Sequence, residues 1–508
     1  MAVLVSPGIQ TREIDFSDYA PAMSTSRFGM VGTATRGPVD TATLITDMGS
    51  LVDTFGPPSG THYGLYAAER YLRAGRQLWF VRVAGDYYAS SEIASVKAGG
   101  GSLTITANTP GTWGDNVTVV LGSGTDAGTY KITVQYNGFP VEVYDLVRVG
   151  TASASHDNYI ETRINGLSNY ISVTDAGVGA ALTAGTVTLT GGDNGTPVTD
   201  ADVVGAYGTP PTVPSTGLHC FDNPDTIQID IVAAPGFVSD TIITALITLA
   251  STTRKDCLAL IDAPYGLSVS GVVAWHNGTS GLAGAPTAAI DSSYAMLTYS
   301  WVQVFDSYNN TDVWIPPSGH VAYAIANTDY VANPWSAPAG MTRAVFNDIK
   351  AVEHSATQGE RDYMYANGNA VNPICKPFYN APFCLWGQRT LSRSATALDR
   401  VNVRRMLLSL RQVVVYVARN LIMEPNDRFT WSRFVRMVKP TMEEYKNRRA
   451  VYDFRIICDA TTNTAAVIAR NEMRAKILLK PTKTAEIISI DFILLPTGAT
   501  FEEISQAN

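Results

Sequence analysis

Several residue groups have types suited to metal or cofactor chemistry, but none has the required spacing. The six histidines lie far apart and no HExxH motif is present, so no zinc site is indicated. Asp193, Asn194, Asp200 and Asp202 could offer oxygen ligands to calcium, yet they lack EF-hand spacing, and a solvated acidic loop is the favoured interpretation. No GxxxxGK[ST] phosphate loop and no GxSxG nucleophile elbow occurs. The patterns predict no enzyme, no metal site and no cofactor.

Glycine and arginine clusters lead to the same conclusion. The glycine pairs at 122–124 and 177–179 lack the third glycine of a dinucleotide fingerprint, so both are interpreted as turns. Five arginines in the stretch 400–419 lack interleaved exposed aromatic residues, and internal or interfacial ion pairs are favoured over nucleic-acid binding. These arginines are Arg400, Arg404, Arg405, Arg411 and Arg419.

The low content of charged residues points to a chain that buries surface in contacts or carries a Gly/Thr-rich β region, and both are expected here. Charged residues make up 16% of the sequence, against about 25% in average soluble proteins. The formal net charge of −8 is uneven, because residues 347–508 carry +7 and residues 92–225 carry −9. This asymmetry suggests that the two regions face different partners. The alternative is a solvated surface whose charge has drifted to one sign.

Cysteine usage and the N-terminal sequence predict the compartment. The five cysteines are scattered, odd in number and without a CxxC motif, so a reducing cytoplasm is the simplest expectation. The first residues lack the basic and apolar regions of a signal peptide. No apolar run has the length needed to span a bilayer.

A length of 508 residues predicts two to four domains, of mixed α/β and α+β class. Residues 1–22 form an extended arm, and residues 23–91 plus 226–346 form a discontinuous α/β middle domain. Residues 92–225 hold 20 of the 42 glycines and alternating β-branched runs, which predict an inserted antiparallel β-rich outer domain. Residues 347–508 form a C-terminal α+β domain.

Periodicity locates the main elements. Strands are expected at 28–34, 78–83, 103–107, 117–121, 130–134 and 257–262, and helix from about 343 to 365. The C-terminal domain should contain helices at 398–423 and 430–447, then strands at 451–458, 473–480 and 485–495.

The two ends of the chain suggest strand exchange between subunits. The arm is predicted to be a single strand, and no second strand lies beside it in the sequence. The C-terminal domain, in contrast, is rich in strands. Adding such a strand to another subunit's sheet would supply backbone hydrogen bonds worth about 0.5–1.5 kcal/mol each. Pairing of the arm within its own chain is the alternative.

Several segments in a shared order resemble the contractile phage tail sheath proteins. The resemblance covers residues 1–90 and about 225–508, and residues 92–225 match no specific motif. It is carried by Ser6-Pro7-Gly8-Ile9, Leu51-Val52-Asp53-Thr54-Phe55-Gly56, Trp314-Ile315-Pro316-Pro317-Ser318-Gly319-His320, Asp399-Arg400-Val401-Asn402, Glu424-Pro425-Asn426-Asp427 and Cys458-Asp459-Ala460-Thr461-Thr462-Asn463.

The resemblance implies a structural subunit that polymerises into a six-fold helical sheath around a tail tube. Contraction of that sheath would drive the tube through the host envelope. The implied partners are further copies of the chain, the tail tube protein, and the baseplate and tail terminator proteins, with no direct contact to nucleic acid or membrane. The expected location is the virion tail, after assembly in the host cytoplasm.

The resemblance also implies site residues. Strand exchange would use Val3, Val5, Ile9, Thr11, Glu13, Ile14, Asp15, Ile456, Ile488, Ile490, Phe492, Thr500, Phe501 and Ile504. A tube-facing helix would present Arg433, Arg436, Lys439 and Glu443, and a merely solvated helix face is the alternative. The competing functions are a receptor-binding or adhesin-type tail protein, a β-rich tail hydrolase, and the sheath of a related contractile injection system.

Overall fold

The computed structural model describes residues 26–85, 95–98, 103–150, 153–176, 182–209, 212–366 and 368–490. The predicted arm at 1–22 lies outside these residues. The strands are β1 (Phe28–Gly32), β2 (Thr43–Ile45), β3 (Leu78–Arg82), β4 (Ser95–Ala98), β5 (Leu103–Ala107), β6 (Val117–Ser123), β7 (Tyr130–Tyr136), β8 (Phe139–Val147), β9 (Ile171–Asp175), β10 (Gly185–Thr188), β11 (Ile231–Ala233), β12 (Leu258–Asp262), β13 (Ala295–Tyr299), β14 (Val302–Asp306), β15 (Thr311–Ile315), β16 (Val345–Phe346), β17 (Ile349–Val352), β18 (Val371–Cys375), β19 (Phe383–Leu385), β20 (Val451–Ile457) and β21 (Lys476–Pro481).

The α-helices are α1 (Met48–Phe55), α2 (Tyr63–Tyr71), α3 (Ile160–Ile164), α4 (Asp200–Val204), α5 (Asp240–Thr248), α6 (Val269–His276), α7 (Ser318–Val331), α8 (Gln358–Tyr365), α9 (Val401–Arg419), α10 (Arg428–Asn447) and α11 (Ala465–Ile468). A π-helical turn (Leu249–Arg254) extends α5.

A nine-stranded sheet in the order β16-β19-β18-β13-β12-β11-β1-β3-β2 organises the body. Its six central strands are parallel to one another, β2 and β19 pair antiparallel with them, and the edge strand β16 pairs antiparallel with β19. Alternate residues of each central strand enter separate cores, as Met30 and Val31 do on β1. Because both faces are covered, these strands are mostly buried and mostly apolar, with a few buried polar residues such as Arg82 and Asp262. On one face α2 approaches closely, since a Cβ on Gly32 would stand 3.1 Å from the Cα of Gly64.

The β-rich region has its own core, spanning Leu103 to Leu189. Two antiparallel sheets, β10-β6-β7-β8 and β4-β5-β9, contain the strands expected at 103–107, 117–121 and 130–134. Residues 200–225 do not belong to this core. Val203, Leu218 and Phe221 pack instead into one of the two cores of the nine-stranded sheet. The β-rich core therefore ends well before the predicted boundary at 225.

The predicted boundary at 346/347 falls inside the central sheet. Strands β16, β18 and β19 lie on both sides of it and complete that sheet. These strands are short and separated by irregular segments, so local pattern gave no sign that they join distant strands.

The helix expected from about 343 to 365 is wrong over its first half. That stretch forms β16 and β17, and only α8 is helical. The long helix of this region is instead α7, which follows Pro316-Pro317, as proline suits a first helical turn. Small apolar residues fill most of α7 and bury most of its sides, so it lacks the amphipathic stripe that reveals surface helices.

A final α+β unit follows the central sheet. Helices α9 and α10 pack against the β20–β21 hairpin around one core that includes Leu410, Phe434 and Val451. The strands expected at 451–458 and 473–480 correspond to β20 and β21. The strand expected at 485–495 is wrong for residues 485–490, which form no strand in the structure, and residues 491–495 lie outside the described part of the chain.

Candidate assembly surfaces

In the described part of the chain, β20 and β21 pair as a two-stranded hairpin. Phe454 stands opposite Leu479, and Ile456 stands opposite Ile477, so these four residues share the face that packs toward the helices. All four remain only partly buried, including the predicted exchange residue Ile456. Within the described residues neither strand has a second neighbour, so each outer edge offers unpaired backbone groups.

A buried asparagine fixes the connection between the two strands. The Nδ2 of Asn463 donates to the carbonyl of Arg474 at 3.0 Å, and the amide of Arg474 donates to Oδ1 of Asn463 at 2.7 Å. Asp459 accepts from the amide of Thr461 at 2.8 Å, which tightens the preceding turn. The Cys458–Asn463 motif thus holds the hairpin's shape rather than presenting a ligand.

The segment after β21 carries exposed apolar side chains. The predicted exchange residues Ile488 and Ile490 are 78% and 69% exposed, and Ile487 is 88% exposed. Full burial of an isoleucine side chain is worth about 1.5–3 kcal/mol. Three exposed isoleucines within four positions therefore indicate a surface that binds a partner. Residues 482–490 form no ladder with β21 or any other described strand.

Glu486 anchors this segment to the body. Its carboxylate accepts from Nε and Nη2 of Arg400 at 2.7 and 2.9 Å, and from the Tyr365 hydroxyl at 3.2 Å. The Nε2 of Gln388 donates to Thr484 at 2.7 Å and to Glu486 at 3.1 Å. Burial acts to raise the pKa of Glu486, but the hydrogen bonds and charge of Arg400 outweigh it and hold the pKa below its ordinary value. No local sequence signal joins Arg400 to a residue so far along the chain, and the sequence prediction missed this pair.

Helix α10 separates an apolar stripe from a charged face. Its inner stripe consists of Trp431, Phe434, Val438, Met442 and Tyr445, all buried. Asp427 caps the helix by accepting from the amide of Thr430 at 2.9 Å.

The predicted tube-facing residues all lie on the outer face of α10, partly or fully exposed. Arg433 pairs with Glu424 at 3.6 Å, and Lys439 pairs with Glu443 at 3.7 Å. Arg436 has no ion pair within the described part of the chain. The structure thus brings the four residues onto one face and leaves one unpaired cation there.

Three of the five arginines at 400–419, Arg400, Arg405 and Arg419, form ion pairs within the chain, as expected, whereas Arg404 and Arg411 make other contacts and no ion pair in the described residues. Arg405 binds Asp329 at 2.6 Å, Arg419 binds Asp225 at 2.7 Å, and Arg404 stacks over Tyr294 with its guanidinium carbon 3.9 Å from the ring centre. Arg411 donates to the carbonyl of Lys255 at 2.7 Å. These contacts tie α9 to the nine-stranded body.

Among the described residues, no three His, Cys, Asp or Glu side chains converge as a metal site would require. None of the helices in the same part of the chain is both long and apolar enough to cross a bilayer.

The remaining predicted exchange residues lie outside the described residues. They are Val3, Val5, Ile9, Thr11, Glu13, Ile14, Asp15, Phe492, Thr500, Phe501 and Ile504.

Comparison with known proteins agrees with this geometry. Residues 393–494 match the family model of the phage tail sheath C-terminal domain. The chain is 30% identical over 305 residues to a tail sheath protein of Vibrio phage KVP40, covering 57% of this chain and 45% of the relative. It is 28% identical over 414 residues to a tail sheath protein of Salmonella phage ViI, covering 80% of this chain and 59% of the relative. The chain thus spans about half the length of these curated relatives.

Solved structures share the fold. A sheath tail protein from Listeria innocua superposes with a TM-score of 0.60 at 12% identity, over 91% of this chain and 96% of that one. The sheath of an extracellular contractile injection system in its contracted state gives 0.56 at 15% identity, over 97% of this chain and 98% of that one.

Proposed function

We propose that this chain, a member of the contractile phage tail sheath family, is the subunit that polymerises into a helical sheath around a tail tube and contracts. The observation that carries the proposal is the match of residues 393–494 to the sheath C-terminal domain, in a unit whose sheet has two strands and open edges within the described residues. A two-stranded sheet is marginal by itself and is completed by added strands.

Strand exchange supplies the polymer contacts. The N-terminal arm (about 3–15) and the chain end (about 497–504) of one subunit add strands to the β20–β21 sheet of neighbours. The half-buried inner face around Ile456 and the exposed Ile488 and Ile490 support this assignment, because each loses apolar exposure when a strand is added. Backbone bonding at the open edges gives affinity, and the apolar side chains set register.

The subunits are nearly rigid bodies that exchanged strands join into a lattice. Contraction is a rearrangement of that lattice. The extended sheath is a higher-energy arrangement that the baseplate releases, after which subunits rotate and slide into larger lateral contacts. The exchanged strands act as tethers, so the lattice changes shape without dissociating.

Weak contacts to the tube suit this cycle. The outer face of α10, with Arg433, Arg436, Lys439 and Glu443, contacts the tube protein in the extended state. Exposed ion pairs are worth about 0–1 kcal/mol each, so they position the sheath and break on contraction.

The setting is a virion tail assembled in the host cytoplasm. Its partners are the tube, baseplate and tail terminator proteins, arranged around a six-fold homo-oligomer, and the chain has no catalytic role and no direct contact with nucleic acid or membrane. The same fold in an extracellular contractile injection system makes a sheath of that kind the second candidate.

Electron microscopy of the purified protein at rising concentration tests the proposal. Hollow tubes of variable length are expected from the full chain, and a folded monomer that forms no long tubes is expected after deletion of residues 1–15. Normal sheaths from the truncated chain would overturn strand exchange by the arm. Small discrete oligomers from the full chain would instead favour an adhesin-type tail protein.

A further inference from the structure

A cavity of about 240 Å³ lies where the C-terminal unit meets the body. Its walls come from the loop around Trp335, the first turns of α9, the end of α10 and the residues that follow β21. Small-molecule sites are typically about 300–1,000 Å³. The cavity therefore fits one inserted side chain better than a cofactor.

The cavity is lined by cations in excess. Arg343, Arg448, Arg449 and Lys483 line it, and none of the described residues in its walls is acidic. Arg448 pairs with Glu444 at 2.9 Å. Arg343 donates to the carbonyl of Ala337, and neither it nor Arg449 nor Lys483 has a carboxylate partner within the described ranges. Three uncompensated positive charges around one small cavity favour a carboxylate.

Two polar side chains in the wall have unused hydrogen-bonding capacity. Asn402 is 3% exposed, its Nδ2 donates to the carbonyl of Trp335 at 3.3 Å, and its Oδ1 has no partner in the described part of the chain. The hydroxyl of Thr482 is likewise buried and without a partner there. Leaving a buried polar group unpaired costs about 1–3 kcal/mol, so these atoms indicate a ligand with its own donor and acceptor.

An acidic residue of a peptide meets both requirements. Its carboxylate accepts from the arginines, Lys483 and the Thr482 hydroxyl, while a backbone N–H donates to the acceptor-only Oδ1 of Asn402. A phosphate monoester dianion or a sulfate ion offers no donor for that oxygen. The wall is also rigid, because Trp335 stacks on Tyr445 with 4.6 Å between ring centres and donates to the carbonyl of Arg448 at 3.0 Å.

We infer that this cavity binds an acidic side chain from a second copy of this chain. The inference rests on the proposed polymer, which places copies side by side. Charge complementarity favours a copy as the occupant, since residues 92–225 carry −9 and residues 347–508 carry +7. The cavity adjoins Thr482–Thr484, so occupation also braces the segment that leads to the exposed isoleucines.

Carbodiimide coupling tests the inference directly. The reagent joins an amine to a carboxylate as an amide with loss of water, so Lys483 reports which carboxylate lies in the cavity. Equal amounts of ¹⁴N- and ¹⁵N-labelled full-length chain are mixed under conditions of self-association, coupled, digested and analysed by mass spectrometry. Mixed-isotope peptides that join Lys483 to an aspartate or glutamate are expected, several-fold above those from the exposed Lys131. Coupling of Lys483 only within one copy, or to no carboxylate, overturns the inference.

A charge variant gives the second readout. Lys483→Glu should weaken self-association several-fold in low salt, with the difference shrinking in high salt, while Lys255→Glu, at an exposed position outside both charged regions, should associate as the parent chain does. Equal association of both variants overturns the inference. Failure of the parent chain to form tubes would count against the proposed sheath alone, because mixed-isotope coupling still reports on any smaller complex.

Discussion

The guanidinium carbon of Arg36 lies 5.2 Å from the centre of the Tyr170 ring. Trp113 and Tyr136 complete an aromatic cage around the same cation, at 5.9 and 5.3 Å. Arg36 belongs to the loop after β1 and also donates to the carbonyl of Val52 at 2.8 Å, whereas the three rings belong to the β-rich core. The cage thus fastens the β-rich unit to the central sheet, and Arg82 reinforces the joint by donating to the carbonyl of Pro110 at 3.0 Å.

Arg36→Met should loosen this joint. The variant keeps an unbranched stem but removes the cation, and a desolvated cation–π contact is worth about 2 kcal/mol. Calorimetry should show the β-rich unit unfolding at a lower temperature than in the parent chain. Lys131→Met, which removes an exposed cation from β7, should change the free energy of unfolding by less than about 0.5 kcal/mol. Unchanged unfolding of Arg36→Met would show that the cage is not what holds the two units together.

Asp262 makes stability depend on pH near neutrality. It lies at the end of β12, fully enclosed, where it accepts from the amide of Ser318 at 2.8 Å, and burial raises its pKa to about 7. The folded state therefore holds a proton that the unfolded state releases near pH 4, and stability falls as pH rises between these values.

Asp262→Asn should remove that dependence. The amide retains an acceptor for Ser318 but carries no charge, so the variant should match the parent at about pH 4 and exceed it at pH 8 by up to about 4 kcal/mol, at 1.36 kcal/mol per pKa unit. Urea unfolding at both pH values measures the difference. Asp53→Asn, at an exposed position, is the control. A variant that loses stability at pH 8 would show that the buried carboxylate is favourable as an anion.

Glu486→Gln should release the segment that follows β21. The pKa of Glu486 is lowered in the fold, so its stabilising contribution is present above the unfolded pKa and lost as pH falls through the folded one. Hydrogen–deuterium exchange of residues 482–490 should quicken in the variant at neutral pH, and in the parent chain under acid. Glu443→Gln, on the outer face of α10, should leave this exchange unchanged. Equal protection in Glu486→Gln and the parent would show that Arg400 does not hold the segment.

Local pattern predicted the elements that have one clear periodicity. The buried strands β1, β3 and β12 and the amphipathic helix α10 were located within a few residues, because apolar spacing alone defines them. Pattern failed at α7, which has no polar face, and at β16, β18 and β19, where membership of the nine-stranded sheet depends on long-range pairing.

The candidate surfaces also differ in whether the sequence could predict them. The charged face of α10 could be predicted, since helical spacing places Arg433, Arg436 and Lys439 together. The pairing of Arg400 with Glu486 and the cavity beside Asn402 could not, because each joins segments from separate elements. The segment 485–490 shows a further limit: its apolar alternation indicates a strand, yet the single chain offers it no partner strand in the described residues.

Charge reversal on α10 should weaken tube binding more at a cation without an ion pair than at a cation that already has one. Arg436 has no ion pair in the described residues, whereas Arg433 already pairs with Glu424. Arg436→Glu should therefore weaken binding of the sheath to purified tail tubes more than Arg433→Glu does. Each exposed contact is worth at most about 1 kcal/mol, but the loss recurs in every subunit.

Co-sedimentation with tubes measures the loss of binding, and the difference between the variants should shrink at 1 M salt, where the Debye length is about 3 Å. Arg474→Glu in the connection between β20 and β21, where Glu472 pairs with Arg474 at 2.7 Å, controls for net charge. Equal binding by Arg436→Glu and the parent would remove this face of α10 from the tube contact.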